Sequence, residues 1–413
     1  MCEIKNIYYI INIKMEIVDF TKILGEEENI YLFNPSISHF GENYYLCLYR
    51  KFVRFPELYQ KNNSYDYSLI DTLNINHPWL GGPTSSELWW KSNYGFDKSG
   101  IAILYIDDDK VTKVNTKINI FEIINGIKTH AYSNPIKGVD SRLLHLGKGF
   151  FVASYNTFFG NRSDIKLKEG DCGTYCGLIS TRIIEIRHIP HKTSELIFYP
   201  EVTLCPEKSN RVEKNWSFWF YNNKLNLSYG LENGHEIFDL NLYPDKTIGC
   251  SGITATKGIV FFDKFKKYYG NKIHISVTTP AIPFHGAEYI GVGHIKYKYR
   301  DTFRKYTKLS NFTSKMISEN KKFHPIYVYL MFFYTFNPQN GDVTNISAMF
   351  LPKSDYVLCF PSGITKTEND NFLISYGDSD VKCRFFRTTT DQILDSITNI
   401  NNIRPEDMDF LML

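Results

Sequence analysis

Strand-sized runs rich in Tyr and Phe recur along this chain, each entered through one or two turn residues and closing on a Tyr near a polar side chain. GENYYLCLYR, GKGFFVASYN, NNKLNLSYG and ENDNFLISYG all follow this form, ending near positions 50, 156, 230 and 377. HGAEYIGVGH, at 285–294, supplies a fifth unit. Many short strands separated by Gly, Asn, Asp and Pro predict a sandwich, a barrel or a propeller. Five units in 413 residues leave roughly 80 residues each, more than a plain four-stranded blade of ~40–50 needs. Insertions are therefore expected, with Arg54–Trp90 and Asn161–Lys192 as candidates. From pattern alone, a propeller and a large sandwich both remain open.

Further strand runs are IAILYID (101–107), GIVFFD (258–263) and IYVYLMFFYTF (326–336). Helical periodicity is confined to Tyr299–Lys322 and the tail Thr390–Leu413. Aromatics make up 16% of the chain, with 29 Tyr and 31 Phe, which favours strands and supplies platforms for sugar rings. Part of that excess, with the many Asn, Ile and Lys, points to an AT-rich genome, a large DNA virus being one such source. A net charge of +3 argues against a dedicated nucleic-acid binder. No apolar window reaches the ~18 residues of a membrane span. The N-terminal run Ile7–Ile11 follows Glu3 and Lys5 and lacks a small-residue cleavage site, so it does not read as a signal peptide. Met15 offers a second start, which makes the first residues an extension or an edge strand. The eight cysteines are scattered and read as reduced, buried thiols of an intracellular, cytoplasmic protein. Only Cys172 and Cys176 are close, and no second ligand pair matches them for zinc. No metal site and no cofactor is expected, since P-loop, dinucleotide, HExxH and GxSxG fingerprints are all missing.

Five segments could carry chemistry. In LFNPSI and LYR, Asn34-Pro35 marks a turn and Arg50 ends a strand. In GVDSRLLHLG, Asp140 and Arg142 lie two apart and face one side of a strand. A carboxylate beside a guanidinium suits either acid–base work or a structural ion pair. In VEKNWSFWFYNN, Lys214 and Asn215 precede Trp216 and Trp219, and His235-Glu236 follow. His285-Gly286 opens a Gly-rich strand that ends at His294. Last, Tyr376-Gly377-Asp378-Ser379-Asp380 forms a polar turn after a buried strand. Each has a plain structural alternative: a snorkelling Arg, an ion pair, a core His, an Asp-capped turn.

Taken in order, these segments resemble the five-bladed β-propellers of the β-mannoside phosphorylases and β-mannosyltransferases, and related propellers attached to glycosyltransferases. The matching residues are Asn34-Pro35 and Arg50, Val139-Asp140-Ser141-Arg142, Lys214-Asn215, His285-Gly286 with Gly291–His294, and Ser375-Tyr376-Gly377 with Asp380. The resemblance spans roughly 30–390. It implies an all-β fold, a five-bladed β-propeller with inserted loops, with 1–29 as an extension or edge strand and 391–413 as a short helical tail. It implies Asp140 as general acid of an inverting glycosyl transfer, a transferase or a phosphorylase. Arg142 would contact sugar or phosphate, and Arg50, Lys214 and His285 would hold phosphate. Tyr376 and Asp380 would line the sugar subsite, with Asn34, Asn215, His235 and Asp378 as further binding candidates. The partners implied are a sugar phosphate or nucleotide-sugar donor and a glycan acceptor. The phosphorylase form of the second motif is Glu-Asp-Pro-Arg; here Val139 and Ser141 replace its Glu and Pro. A non-catalytic glycan-binding propeller and a glycoside hydrolase are the competing expectations.

Overall fold

A computed structural model describes residues 16–25, 30–53, 97–108, 110–114, 117–131, 134–136, 138–160, 175–188, 193–204, 215–232, 234–298, 307–319, 327–352, 358–378 and 382–413. The protein is all-β, and the strands of the described residues fall into five sheets.

The first sheet runs Ile30–Gly41, Tyr44–Val53, Asp97–Asp107 and Lys110–Lys113. The second is built on Val139–Gly147, Phe150–Gly160 and Tyr175–His188. Beyond these it carries Thr193–Phe198, then Lys117–Ile124 and its hairpin mate Ile127–His130, with Val202–Leu204 to one side. The third follows chain order: Ser217–Tyr221, Lys224–Gly230, His235–Leu242 and Ile248–Lys257. The fourth centres on Tyr289–Lys298 and Tyr327–Phe336. The fifth orders Cys359–Lys366, Phe372–Asp378 and Lys382–Thr388, and takes Ile17–Asp19 as its outer strand. The chain's beginning thus pairs with its end, Val18 opposite Phe385.

Neighbouring sheets touch in chain order, and the fifth packs back on the first, so the sheets close a ring. Ser36 accepts from the Leu143 amide of the second sheet, and Ser362 donates to Pro35 across the junction of the fifth and first sheets. Ser217 joins the third sheet to Thr279 of the fourth. Small hydroxyl residues suit these sites because each satisfies a neighbouring strand's backbone where a bulky side chain could not fit. Apolar residues fill the wedges between sheets, as where Leu144, Val152 and Ile183 meet Trp216, Phe218 and Leu227.

Helices are few. The sequence places GIVFFD on a strand, but Val260–Tyr269 is a helix. Phe261, Phe262, Phe265 and Tyr269 are all buried on it, a spacing of one helical face that a window ending at Asp263 does not reach. The two expected helical regions contain Lys308–Glu319 and Thr390–Ser396. The second opens on a capping box between Thr389 and Gln392, and its tail returns to the fourth sheet as Ile397–Asn399 and Phe410–Met412. Of the candidate insertions, 54–90 lies outside the described residues, and Asn161–Lys192 contributes the strand Tyr175–His188. Cys47, Cys359 and Cys383 are buried thiols; Cys172 lies outside the described residues. Among the described residues no helix is long and apolar enough to cross a membrane. None of their His, Cys, Asp and Glu residues group in threes that could hold a metal ion.

Candidate active site

The first three sheets share a backbone feature, at Asn34 within Ile30–Gly41, at Asp140 within Val139–Gly147 and at Asn215 two residues before Ser217–Tyr221. Asn34, Asp140 and Asn215 stand at φ 49°, 54° and 64°, in the left-handed region. Short polar side chains are the non-glycine residues that adopt this conformation most readily, because they bond locally. Asn serves that backbone purpose at 34 and 215. At 140 the chain places a carboxylate instead, and buries it to 7% exposure.

A buried carboxylate must be paired. Asn34 donates its amide to Asp140 Oδ1 at 2.7 Å, and Arg50 Nη1 reaches the same oxygen at 3.2 Å. The Arg50 guanidinium lies over the Phe33 ring, 5.0 Å from its centroid. Asp140 Oδ2 has a longer contact, 3.4 Å from Asn156 Nδ2. Oδ1 is thus held from the first sheet, and Oδ2 faces Asn156 within the second. Asn156 does not figure among the residues singled out from sequence. It lies in the quoted GFFVASYNTF run, level with Asp140 on the far arm of the hairpin that turns at Gly147-Lys148-Gly149, and its pairing with Val139 follows from that symmetry.

Arg142 is buried too, but the register shift between Val139 and Arg142 breaks the expected alternation, and the side chains of Asp140 and Arg142 bond to different sheets. Arg142 Nε donates to the Thr278 carbonyl at 2.6 Å, and Nη1 to the carbonyls of Asp140 and Ser141. The guanidinium also lies 4.9 Å from the centroid of Phe360. One side chain therefore ties the second sheet to the fourth and the fifth. Burial pulls its pKa down to about 10, against the opposing pull of Asp140, so it stays cationic at neutral pH. Beside it His294 bonds Thr278 through Nδ1 at 2.7 Å. Burial first, then Lys296, Arg142 and His274, push its pKa to about 3, so the ring is neutral. Ser141 Oγ approaches Ser99 Oγ at 3.4 Å, and Ser99 donates to the Gly138 carbonyl, which secures the segment leading into Asp140.

The other candidates are placed as follows. Asn215 is half-buried, two residues before Ser217–Tyr221. His235 is fully buried, with Nε2 at Ser228 and Nδ1 at the Gly341 carbonyl, each 2.7 Å. His285 is exposed in the turn that follows Ile282–Pro283. Tyr376 is fully buried against Phe386, a core position. Asp378 is fully buried and pairs with Arg384 at 2.9 Å, at the same end of the ring as Asn34. Between them Gly377 packs on Asn34: a Cβ there would overlap the Asn34 side-chain oxygen and come 2.8 Å from its backbone nitrogen. Lys214 and Asp380 lie outside the described residues.

No known family profile matches this chain, and no curated protein does. Solved structures similar to it include a mannose phosphorylase from Leishmania mexicana, 12% identical over 94% of this chain and 91% of that one, with a TM-score of 0.45. A GDP-Man-dependent mannosyltransferase from Leishmania mexicana is 10% identical over 91% and 89%, at 0.46. A β-1,2-mannobiose phosphorylase from Listeria innocua is 11% identical over 92% and 99%, at 0.44. Likenesses this distant leave the assignment of residues and reaction to the chain's own chemistry.

Proposed function

We propose that this chain is a carbohydrate-active enzyme whose ring of sheets is a five-bladed propeller, and that Asp140 is the general acid of an inverting glycosyl transfer. One observation carries the reading. Asp140 holds a left-handed position that Asn serves in two neighbouring sheets, and it buries a charge there beside Arg50. Backbone geometry does not ask for that charge; acid–base chemistry does.

In an inverting reaction the acid protonates the leaving glycosidic oxygen while a nucleophile attacks the opposite face of the sugar. Asp140 Oδ2, the oxygen that faces away from the Asn34 contact, is the one from which a proton would pass. Arg50 is the cation next to it. A phosphoryl group drawn to Arg50 would share the guanidinium with Asp140 and lower the cost of a proton on the carboxyl. Donor binding would then arm the acid. Arg142 acts by position: spent on three carbonyls, it fixes the backbone of Asp140. A mannose-like sugar is the group moved: from a sugar phosphate or nucleotide sugar to a glycan acceptor in the synthetic direction, or from a glycoside to phosphate, releasing the sugar phosphate, in the phosphorolytic one.

The test is a panel of β-mannobiose, mannose 1-phosphate and GDP-mannose, each with and without inorganic phosphate, analysed for released sugar phosphate and for new glycosides. Sugar phosphate that forms only when phosphate is added marks a phosphorylase, and new glycoside from a phosphate-bearing donor marks a transferase. Free sugar released irrespective of phosphate would give the reading over to a hydrolase. Glycan binding without turnover of any member would leave a binding propeller.

A further inference from the structure

The third sheet has a second feature at the opposite end of its strands from Asn215. Between that sheet and the Asn337–Gly341 turn of the fourth lies a cavity of about 500 Å³. Its wall follows from strand register. Trp219 pairs with Asn226 and Asn226 with Asp239, a row across three strands. Tyr221 pairs with Lys224 in the next row, and Ile237 stands two residues from Asp239. Alternation puts all six on one face. The opposite wall carries Gln339.

The cavity is preformed. His235 grips the Gly341 carbonyl, the Gly341 amide bonds Asn337, and the Gln339 amide bonds the Asn337 side chain. Gly341 sits at φ 75° against Ile237, where a Cβ would collide. Trp219 spends its indole N–H on Ser228, so it offers the cavity carbon alone. Asn226, 6% exposed, is a buried amide in the wall.

We infer that this cavity is a saccharide-binding site separate from the Asp140 cluster, and that it takes a neutral mono- or disaccharide. The volume falls in the range of small-ligand sites. Tyr221 and Trp219 supply the aromatic surface that the C–H face of a sugar ring covers. Asp239 opposes an anion and Lys224 opposes a cation. A polyol suits both, since its hydroxyls donate to the carboxylate and accept from the ammonium and the amides. This site does not depend on the chemistry assigned to Asp140.

Saturation-transfer NMR on the full chain tests it, using mannose, glucose, galactose, N-acetylglucosamine and their β-linked disaccharides, with inorganic phosphate as the anionic control. The expected result is saturable binding of at least one sugar, kept in Asp140→Asn and weakened tenfold or more in Lys224→Ala and in Gln339→Trp. The second variant fills the cavity from an exposed loop position and leaves the strand rows intact. Absence of sugar binding by the folded protein overturns the inference. So does binding that both variants retain, or phosphate binding that Lys224→Ala abolishes while no sugar binds. Turnover is not read in this experiment, so its failure is distinct from a failure of Asp140 as acid.

Discussion

Three side chains decide what Asp140 can do, and only part of that trio was legible in the sequence. Asn34 and Arg50 stood out because the sequence set one in a turn signal and the other at a strand end, although Asn34 lies inside Ile30–Gly41 and Arg50 inside Tyr44–Val53. Asn156 did not, since its role comes from hairpin register rather than from a motif. Tyr376 and His235 show the converse: a polar name in a suggestive segment, placed by strand alternation and sheet packing in the interior. Gly377 links the fifth sheet to this trio. Gly377→Ala should push the Asn34 amide off Asp140 and cost about 1–3 kcal/mol by overpacking, seen as a lower urea midpoint; an unchanged midpoint would show that the contact is slack. The buried histidines set an acid limit. Burial holds His235 down at about 4, partly offset by its bond to Gly341, and His294 at about 3. In the unfolded chain both take up protons near pH 6.5. The unfolded state binds more protons below that value, so stability falls as pH drops from about 6.5 toward about 4, by up to about 1.4 kcal/mol per pH unit for each ring. Urea unfolding from pH 7.5 to 4.5 should show this decline, and His294→Gln should reduce its slope. An identical slope in the variant would mean that His294 does not contribute.

At the scale of elements, closure rests on a short strand. Ile17–Asp19 pairs with the outer strand of the last sheet, and Phe20 behind it is fully buried 5.7 Å from Phe385. Removing residues 1–20 should lower the thermal midpoint by several degrees and broaden the transition relative to the full chain. Scanning calorimetry separates the two, and equal midpoints would show that the ring does not depend on this strand. The turn-then-aromatic-strand pattern identified the second strand of four sheets because a hairpin fixes both its entry and its period. It gave no view of the Lys117–Ile124 and Ile127–His130 hairpin, which joins the second sheet through a parallel pairing with Thr193–Phe198 that no local signal encodes. Val260–Tyr269 was hidden for a related reason, since its first residues satisfy either period.

For the whole molecule, the ring matters because it brings together residues far apart in the chain. Asn34, Arg50 and Asp140 meet across one junction of sheets, and Arg142 reaches from the second sheet to Thr278 and Phe360 on two others. The order of motifs along the sequence gave the expectation of such a gathering, but not its membership, because membership depends on which end of a strand each residue occupies. The most direct measurement is turnover of the mannosyl panel by Asp140→Asn beside the wild type, with circular dichroism and thermal midpoints recorded for both. Asn keeps the left-handed turn and can still accept from Asn34, so the account predicts a folded variant with a rate at least a thousandfold lower, beyond the ~10²–10⁴ range's lower end for losing a general acid. A folded Asp140→Asn that turns over at the wild-type rate would contradict it.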